Sequence, residues 1–491
     1  MPAPLNSNLF SLTDDLFAST ALNSAGLTPI GLIRIPMKED PVPDGESHMD
    51  SDAAGALVFG DAASPAARNF RLDGVRNLAS GWKHRAEDNL AAIRLLHAIE
   101  AEGRAATSDE QAILIKFCAF SSTELAQNIF RRGTEAPKQG WAALADGLEA
   151  LISAEEKAGL MRATQYAHYT PEYIIRAMWD AVAAFGFAGG NVLEPGCGTG
   201  LFLAASPAPV AEKSFFSGIE ADPITARIAA LLYPESDIRL EDFTKARLDD
   251  DYDLAIGNPP FSDRTQRFAD VRPAIPLSLH DYFVARSIYH LRPGGIAAFV
   301  VSRWTMDKAD QAARSVIAQI ADLIGAIRLP ARAMRQDAGT YVVVDLLFFR
   351  RRIEGEAGGG VDWLETLEAV PPTDASGAFF VNRYFMDRPM MVLGVHGRTT
   401  SPYGPVYTCE GATGAALETG LTTALATLPR GIHQPRPETF RRSAGLGEKL
   451  YAGSVADGAT IREGSYLVTN HRLHQVTNGA PVEIAVKRPR P

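Results

Sequence analysis

Residues 191–200 read Asn-Val-Leu-Glu-Pro-Gly-Cys-Gly-Thr-Gly, and this stretch decides the fold. An apolar run ends in glycines at every second position, and a helix-like pattern begins at Leu201. Glycines at such a point let the backbone turn sharply and lie directly against a ligand. A dinucleotide fingerprint would place its third glycine at position 201, so a nicotinamide site is disfavoured. Taken alone, the stretch also fits a simple tight turn between a strand and a helix.

Outward from this turn, short apolar runs alternate with helical patterns. The runs are 215–220 (FFSGIE), 237–240 (DIRL), 253–258 (DLAIGN), 296–302 (IAAFVVS), 323–329 (LIGAIRL) and 341–349 (YVVVDLLFF). The segments 224–233, 281–291 and 308–320 between them look helical. Strands that alternate with helices predict an α/β fold, a Rossmann-like sheet covered by helices on both faces. The last run is expected to pair antiparallel with its predecessor as an edge hairpin.

The chain is long enough, at 491 residues, for two to three domains. We expect an acidic, disordered leader over 1–65, an N-terminal helical domain over 66–160, and the α/β domain over 161–352. In the helical domain, Leu90, Ile93, Leu96 and Ile99 fall on one helical face. A less regular region, 353–491, follows a glycine-rich linker.

Charge is spread unevenly along the chain. The net charge is −10, and residues 1–65 contribute −7 of it, with nine acidic residues against two basic ones. Residues 430–491 hold ten Lys and Arg against five Asp and Glu, a local +5. A basic segment of this kind suits contact with DNA phosphates, although a solvated surface fits the same pattern.

Cysteine usage and hydropathy limit the protein class. The three cysteines, Cys118, Cys197 and Cys409, lie far apart and lack metal-ligand spacing. We therefore expect no disulfide framework and no metal site, and we expect Cys197 to be a small filler in the loop. No apolar stretch approaches the length of a membrane span, and no signal pattern begins the chain. These observations predict a cytoplasmic protein that does not engage a membrane.

Two carboxylates follow the glycine loop at the ends of successive apolar runs. Glu220 ends the second run, where a carboxylate can accept hydrogen bonds from a ribose diol. Asp242 follows the third run and offers an acceptor for an adenine amine, while Phe243 supplies a ring beside the base. No Lys or Arg is placed in this pattern for a phosphate. The residues therefore suit a cationic nucleoside such as S-adenosylmethionine.

The segment Asn258-Pro259-Pro260-Phe261 follows the fourth run. If the first and fourth strands are neighbours, this segment and the glycine loop face one crevice. The Asn258 side-chain oxygen and the Pro259 carbonyl can each accept one N–H of an exocyclic adenine amine. Two fixed acceptors favour a pyramidal nitrogen whose lone pair can attack a methyl group. Phe261 can stack on a flipped base, although the four residues alone also fit an ordinary turn.

These motifs, in this order, resemble the class I adenine-specific (N6) DNA methyltransferases. The resemblance covers roughly residues 160–350. It implies S-adenosylmethionine as cofactor and DNA as substrate, and it adds an upstream motif, His168-Tyr169-Thr170-Pro171, and Phe283 beside the cofactor adenine. The implied cofactor residues are Tyr169, Thr170, Pro171, Glu194, Gly196, Gly198, Gly200, Glu220, Asp242, Phe243 and Phe283.

The helix near Asn89–Gly103, the loop Ala338-Gly339-Thr340 and the segment Val381-Asn382-Arg383-Tyr384-Phe385 add a narrower likeness. With these segments the chain resembles the methylase part of large plasmid- and phage-borne methylases. Those proteins often continue into a helicase, whereas this sequence has no Gly-x-x-x-x-Gly-Lys-Ser/Thr phosphate loop. The likeness therefore implies a separate helicase subunit as a candidate partner. It also places the chain among proteins of restriction-modification and antirestriction.

Two other functions fit part of the pattern. Protein-glutamine methyltransferases also use Asn-Pro-Pro-Phe or Asn-Pro-Pro-Tyr, but they lack a long C-terminal region. An inactive methyltransferase fold that serves as a DNA-binding or antirestriction module is the second alternative, and the intact Asn258, Glu220 and Asp242 disfavour it. We interpret His280 as a packing or surface residue rather than a base, and Trp304 as a core residue rather than a pocket wall.

Overall fold

A computed structural model describes residues 68–120, 122–130, 139–166, 169–335, 339, 341–370, 377–401 and 404–435, with three strands between 466 and 483. The chain divides into two compact units, of which the first ends at Pro435 and the second begins at Arg436. The predicted leader and most of the basic C-terminal segment lie outside the described residues. Within the described part, no helix has the length and apolar character needed to cross a membrane.

A seven-stranded sheet forms the centre of the first unit. In chain order, the strands of this sheet and of one separate hairpin are β1 (Asn191–Pro195), β2 (Phe215–Glu220), β3 (Asp237–Leu240), β4 (Tyr252–Gly257), β5 (Thr265–Phe268), β6 (Ile275–Ser278), β7 (Leu291–Ser302), β8 (Ala321–Arg328) and β9 (Val344–Arg351). β5 and β6 form a separate hairpin, and the sheet has the order β3-β2-β1-β4-β7-β9-β8. The strands from β3 to β7 pair in parallel.

The predicted α/β fold is confirmed, and the point where strand order reverses lies between β1 and β4. Val192 and Leu193 of β1 pair with Leu254 and Ala255 of β4. Both strands are buried along their whole length, as expected for continuous apolar runs with a helical layer on each face. Because parallel strands end at the same edge, the loops that follow β1 and β4 share one crevice.

The prediction of an edge hairpin is only partly correct. β8 and β9 do pair antiparallel, with Ile327 opposite Leu346. β9, however, lies inside the sheet, because it also pairs antiparallel with β7. Its apolar side chains are buried from Val344 to Phe349, so an interior position removes more apolar surface from water than an edge position would.

Helices cover the sheet and precede it in the chain. They are α1 (Trp82–Glu102), α2 (Ser108–Leu114), α3 (Thr123–Ile129), α4 (Ala142–Leu151), α5 (Ala154–Tyr166), α6 (Glu172–Ala184), α7 (Leu201–Ala204), α8 (Ala208–Ala211), α9 (Pro223–Leu232), α10 (Leu279–Tyr289), α11 (Trp304–Asp307) and α12 (Ala312–Ala318). The four apolar residues expected on one face of α1 are all buried. Arg227 of α9 joins α1 and α5, since it donates to Glu100 and Glu156.

The part of the first unit that follows β9 runs as far as Pro435. It contains β10 (Thr366–Val370), β11 (Phe379–Asn382), α13 (Arg383–Asp387), β12 (Val395–Ser401), β13 (Gly404–Glu410) and α14 (Ala415–Ala426). β10 pairs with β11 and β12 with β13, each antiparallel. In the second unit, β14 (Tyr466–Thr469), β15 (Arg472–Thr477) and β16 (Ala480–Glu483) form a three-stranded antiparallel sheet.

Candidate active site

The turn after β1 is built on three left-handed glycines. Gly196, Gly198 and Gly200 have φ values of 66°, 55° and 70°, which side chains disfavour. Position 200 also has no room for a side chain, since a Cβ there would lie 2.4 Å from Cε2 of Tyr233. The Tyr233 hydroxyl donates to the Gly200 carbonyl at 2.6 Å. Gly200 therefore positions the loop, whereas Gly196 and Gly198 face the cavities described next.

Two adjoining cavities open at the carboxyl edge of β1, β2 and β4. The first has an empty volume of about 600 Å³ and the second about 1360 Å³, both including space open to solvent. The residues that line both are Ala163, Gly196, Glu220, Asp222 and Asn258. The glycine loop, the carboxylate after β2 and the polar residue after β4 are thus brought together, as the strand order requires.

Glu220 ties the glycine loop to the end of β2. Its carboxylate accepts the backbone N–H of Gly198 at 2.9 Å and that of Asp222 at 2.8 Å. Burial raises the pKa of Glu220 to about 7, and the nearby Asp222 adds to the shift, against the hydrogen bonds that lower it. Near neutral pH the group is therefore partly protonated, and a ligand that favours its ionised form would lower the protonated fraction.

The smaller cavity contains buried oxygens that need a partner. Glu194 Oε2, Thr199 Oγ1 and Asp222 Oδ1 make no hydrogen bond within the part of the chain that the structure describes. Each belongs to a residue that is at most 5% exposed and lines this cavity. Burial, together with the charge of Glu220, raises the pKa of Glu194 well above its usual range. Buried oxygens without partners are costly, so the cavity is suited to a polar ligand that donates hydrogen bonds to them.

The larger cavity has an aromatic wall. The rings of Phe243 and Phe283 lie 4.5 Å apart, tilted by 37°, and both residues line the cavity with Asp242. Asp242 Oδ1 accepts from the Thr244 backbone N–H at 2.9 Å and from its hydroxyl at 2.8 Å. Arg286, which sequence reasoning missed, donates to the Phe243 and Ala246 carbonyls and so fixes this loop.

Asn258 lies where the two cavities meet, immediately after β4. Its side-chain nitrogen donates to the Thr170 hydroxyl at 3.0 Å, which turns the side-chain oxygen the other way. Thr170 and Tyr169 line the smaller cavity, and Pro260 lines the larger one. The two sequence motifs, 88 residues apart, therefore meet through a direct hydrogen bond.

His280 holds the Asn-Pro-Pro-Phe loop from behind. It is 5% exposed, its Nδ1 lies 3.0 Å from the Pro260 carbonyl, and its Nε2 accepts the Ser302 N–H at 3.2 Å. Because Nε2 accepts, the proton of the neutral ring is on Nδ1 and is donated to Pro260. Burial lowers the pKa of His280 and favours this neutral form. The ring of Phe261 meets that of His280 edge-on at 4.9 Å. His280 is thus a buried packing residue with two specific hydrogen bonds rather than a surface residue.

Several residues implied by the sequence do not line either cavity. They are Pro171, Gly200, Pro259 and Phe261. Pro171 precedes α6, and Phe261 lies beside the cavities against His280. His168 is outside the described residues. Trp304 also lines neither cavity and stacks on Arg303, whose guanidinium carbon is 3.7 Å from the ring centroid.

Two arginines reach the larger cavity from outside the motifs. Arg162 comes from α5 and Arg264 from the segment after Phe261, and both line it. The sequence pattern placed no Lys or Arg for a phosphate, and the structure adds these two arginines to the wall of the larger cavity. The reason is that α5 packs closely on the end of β2: a Cβ on Gly159 would meet Asp222 Oδ1 at 2.6 Å. Arg162 and Asp222 belong to no motif by which the sequence could single them out, and Thr199 lies within the glycine-rich stretch but is not one of its glycines.

Comparison with known proteins agrees with the resemblance inferred from the motifs. Residues 144–358 match the model of the N-6 DNA Methylase family. The chain is 28% identical over 223 residues to the Defense against restriction protein B of Escherichia phage P1. It is 29% identical over 174 residues to the Type II methyltransferase M.CvrRI of Paramecium bursaria Chlorella virus XZ-6E.

These matches cover part of each protein. The match to the phage protein covers 43% of this chain and 10% of that protein, and the match to the viral methyltransferase covers 34% and 43%. Among solved structures, the methyltransferase subunit of a type I restriction-modification system from Streptococcus thermophilus is similar over 56% of this chain and 67% of that one. That similarity has 18% identity and a TM-score of 0.35.

Proposed function

We propose that this chain, whose residues 144–358 match the N-6 DNA Methylase family, transfers a methyl group from S-adenosylmethionine to the N6 amine of adenine in DNA. The observation that carries the proposal is the position of Asn258. Its amide is oriented by Thr170 and lies where the cavity of unpartnered oxygens meets the aromatic cavity.

The residues present fit S-adenosylmethionine. Glu220 would accept the ribose hydroxyls, and Asp242, Phe243 and Phe283 would hold the adenine ring. The buried oxygens of Glu194 and Asp222 would favour the positively charged part of the cofactor, since each needs a partner. When bound, the cofactor supplies a methyl group activated by an adjacent sulfonium.

The protein would activate the amine by positioning it. The lone pair of the N6 nitrogen is delocalised into the ring, so the amine is a poor nucleophile. Asn258 Oδ1 and the Pro259 carbonyl would accept its two N–H groups and favour a pyramidal nitrogen. His280 holds the adjoining Pro260 carbonyl and so keeps this loop in place before substrate arrives. No strong base is needed at the nitrogen.

The test separates chemistry from binding. Asn258→Ala should lower the single-turnover methylation rate of adenine-containing DNA by about 10²–10³. Affinity for S-adenosylmethionine, measured by calorimetry, should change little by comparison. Thr170→Val is the matched control. It removes the hydroxyl that orients the Asn258 amide but keeps Asn258 Oδ1 as an acceptor, so we expect a smaller loss of methylation rate. A wild-type rate in Asn258→Ala would remove the residue from the chemistry.

The assay also distinguishes the alternative functions. Labelled S-adenosylmethionine is offered in parallel to single-stranded DNA, duplex DNA and a release factor that contains a glutamine target. We expect 6-methyladenine in the DNA and none of the label in the protein. Label in the release factor instead would support glutamine methylation, and cofactor binding without transfer to any substrate would support an inactive module.

The biological setting that we propose is protection of DNA from restriction. The phage relative is named for defence against restriction, although the matched segment is a tenth of its length. A separate helicase partner would deliver single strands to the site. If so, methylation should be faster on single-stranded than on duplex DNA when this chain acts alone.

A further inference from the structure

A two-stranded hairpin interrupts the chain immediately after the Asn-Pro-Pro-Phe loop. β5 and β6 pair antiparallel from Thr265–Ser278 to Phe268–Ile275, and α10 begins at the next residue. The hairpin is therefore inserted between β4 and α10, at the edge of the sheet where both cavities open. Arg264, just before β5, lines the larger cavity together with Asn258 and Pro260.

One face of the hairpin is fixed to the body of the protein. Phe268 and Leu277 are at most 4% exposed. The Phe268 ring meets the rings of Tyr282 and Tyr289 of α10 edge-on, at 5.8 and 5.2 Å. At the base of the hairpin, the Leu279 N–H donates to the Arg264 carbonyl at 2.7 Å. These contacts hold the hairpin in one place beside the cavity.

Three exposed arginines lie in or beside the hairpin: Arg267 on the strand face opposite Phe268, Arg264 just before β5, and Arg272 in the turn between β5 and β6. Arg264, Arg267 and Arg272 are exposed, and Arg267 lies opposite the exposed Pro276 in the pairing. None of the three side chains forms a hydrogen bond or ion pair with another described residue. The acidic residues of the same segment, Asp263 and Asp270, leave it with a net positive charge. Arginine at an exposed site without a carboxylate partner is well suited to phosphate, because its planar fork can donate two hydrogen bonds at once.

We propose that this arginine face, defined by Arg264, Arg267 and Arg272, binds the phosphates of the DNA strand that enters the larger cavity. The inference rests on the proposed function, and it assigns the DNA path to one side of the site. A nucleotide whose base reaches Asn258 remains joined to its neighbours. Its strand therefore leaves the cavity past Arg264, and the fixed hairpin presents Arg267 and Arg272 to the phosphates that follow. Phosphate contacts of this kind position the strand and do not read its sequence.

The experiment compares two charge-matched double variants. The first is Arg267→Gln with Arg272→Gln, which leaves Arg264 at the cavity wall untouched. The control is Lys213→Gln with Arg430→Gln, two exposed basic residues that line neither cavity. Lys213 lies just before β2, and Arg430 precedes Gly431, whose N–H donates to the Ala184 carbonyl at the end of α6, ahead of β1. Both proteins are checked for an unchanged melting temperature and unchanged affinity for S-adenosylmethionine. DNA affinity is then measured by fluorescence anisotropy at several salt concentrations between 50 and 200 mM, with single-stranded and duplex oligonucleotides.

Each released phosphate contact reduces the slope of log affinity against log salt by about 0.7 for single strands and about 0.9 for duplex DNA. The hairpin variant should therefore lose about 1.4–1.8 from the wild-type slope, and the control should keep it. If the hairpin variant keeps the wild-type slope and affinity while wild-type protein binds and methylates DNA, the arginine face is not the DNA path and the proposed function stands. If wild-type protein neither binds nor methylates DNA, both proposals fail, and an acidic protein becomes the partner to seek for this face.

Discussion

At the scale of single residues, the site depends on groups that serve the fold and the ligand at once. Glu220 accepts two backbone N–H groups that shape the glycine loop, and it also lines both cavities. Asn258 is likewise oriented by Thr170 before any substrate is present. Substitutions at these positions will therefore change both binding and local structure, and measurements must separate the two effects.

Binding of S-adenosylmethionine should be coupled to proton release at Glu220. The pKa of about 7 leaves a large fraction of this carboxyl protonated at neutral pH, and hydrogen bonds from a ribose diol favour the ionised form. Affinity should therefore fall as the pH is lowered below about 7. Calorimetry in two buffers of different ionisation enthalpy measures the released proton. In Glu220→Gln the proton release attributable to this group should disappear and affinity should fall by roughly 1.5–3 kcal/mol.

The same group makes the stability of the ligand-free protein depend on pH. The folded protein holds this proton more tightly than the unfolded chain, so between pH 4.5 and about 7 the folded state binds more protons. The contribution of Glu220 to the free energy of unfolding is therefore lost as the pH rises through that window. Compared with Glu220→Gln, the wild type should lose stability from pH 5 to 7.5. A parallel pH dependence of the two proteins would contradict the assigned pKa.

At the scale of elements, the turn between β1 and α7 is set by packing as well as by ligand contact. Gly200 has a left-handed backbone conformation and immediately precedes α7. It lies against Tyr233, which follows α9. The position therefore joins two neighbouring βα units of the sheet. Its sequence pattern suggested a cofactor contact, whereas in the structure it lines neither cavity and supports the loop whose Gly196 and Gly198 do.

Gly200→Ala should destabilise the protein more than the same change at Gly103. Gly103 also has a positive φ, 63°, but no atom lies within 4 Å of its would-be Cβ. Gly103→Ala should therefore lower the free energy of unfolding only through the left-handed backbone conformation, by about 1–2 kcal/mol. Gly200→Ala adds a steric clash with Tyr233, which should lower the free energy of unfolding by a further ~1–3 kcal/mol. Urea unfolding of both variants measures the difference, and equal losses would show that Tyr233 moves aside freely.

At the scale of the whole molecule, a buried ion-pair network joins the sheet to the region after it. Arg328 of β8 is fully buried and bonds Asp345 of β9 at 2.8 Å, Asp307 at 2.9 Å and the Tyr407 hydroxyl of β13 at 3.1 Å. Its guanidinium carbon also lies 4.4 Å from the centroid of the Phe385 ring. A buried charge with this many partners holds β13 in one position relative to the sheet.

Arg328→Met should lower the free energy of unfolding by about 3–5 kcal/mol, because the buried Asp345 loses its ion-pair partner and Asp307 keeps only Arg303. Arg383→Met is the control, since Arg383 forms ion pairs with Glu365 and Asp387 at the surface. The denaturation midpoint of Arg383→Met should remain close to that of the wild type. Similar midpoints for the two variants would mean that the network contributes no net stability.

Much of the fold and part of the site follow from the sequence alone. Apolar runs separated by helical patterns are local signals, and they predicted the parallel strands of the sheet. Glycine spacing predicted the turn after β1, and polar residues at strand ends predicted which side chains meet there. These predictions hold because strand direction alone places the ends of parallel strands at one edge, whatever the details of packing.

The tertiary structure decided what no local pattern contains. β9 lies between β7 and β8, where its apolar run from Leu346 to Phe349 is buried, and the sequence could not distinguish this interior position from an edge. The bonds from Asn258 to Thr170 and from His280 to Pro260 and Ser302, and the approach of Arg162 to the cavity, join residues distant in the chain. Such contacts depend on how whole elements pack, and packing is set by the summed burial of many side chains rather than by any one stretch of sequence.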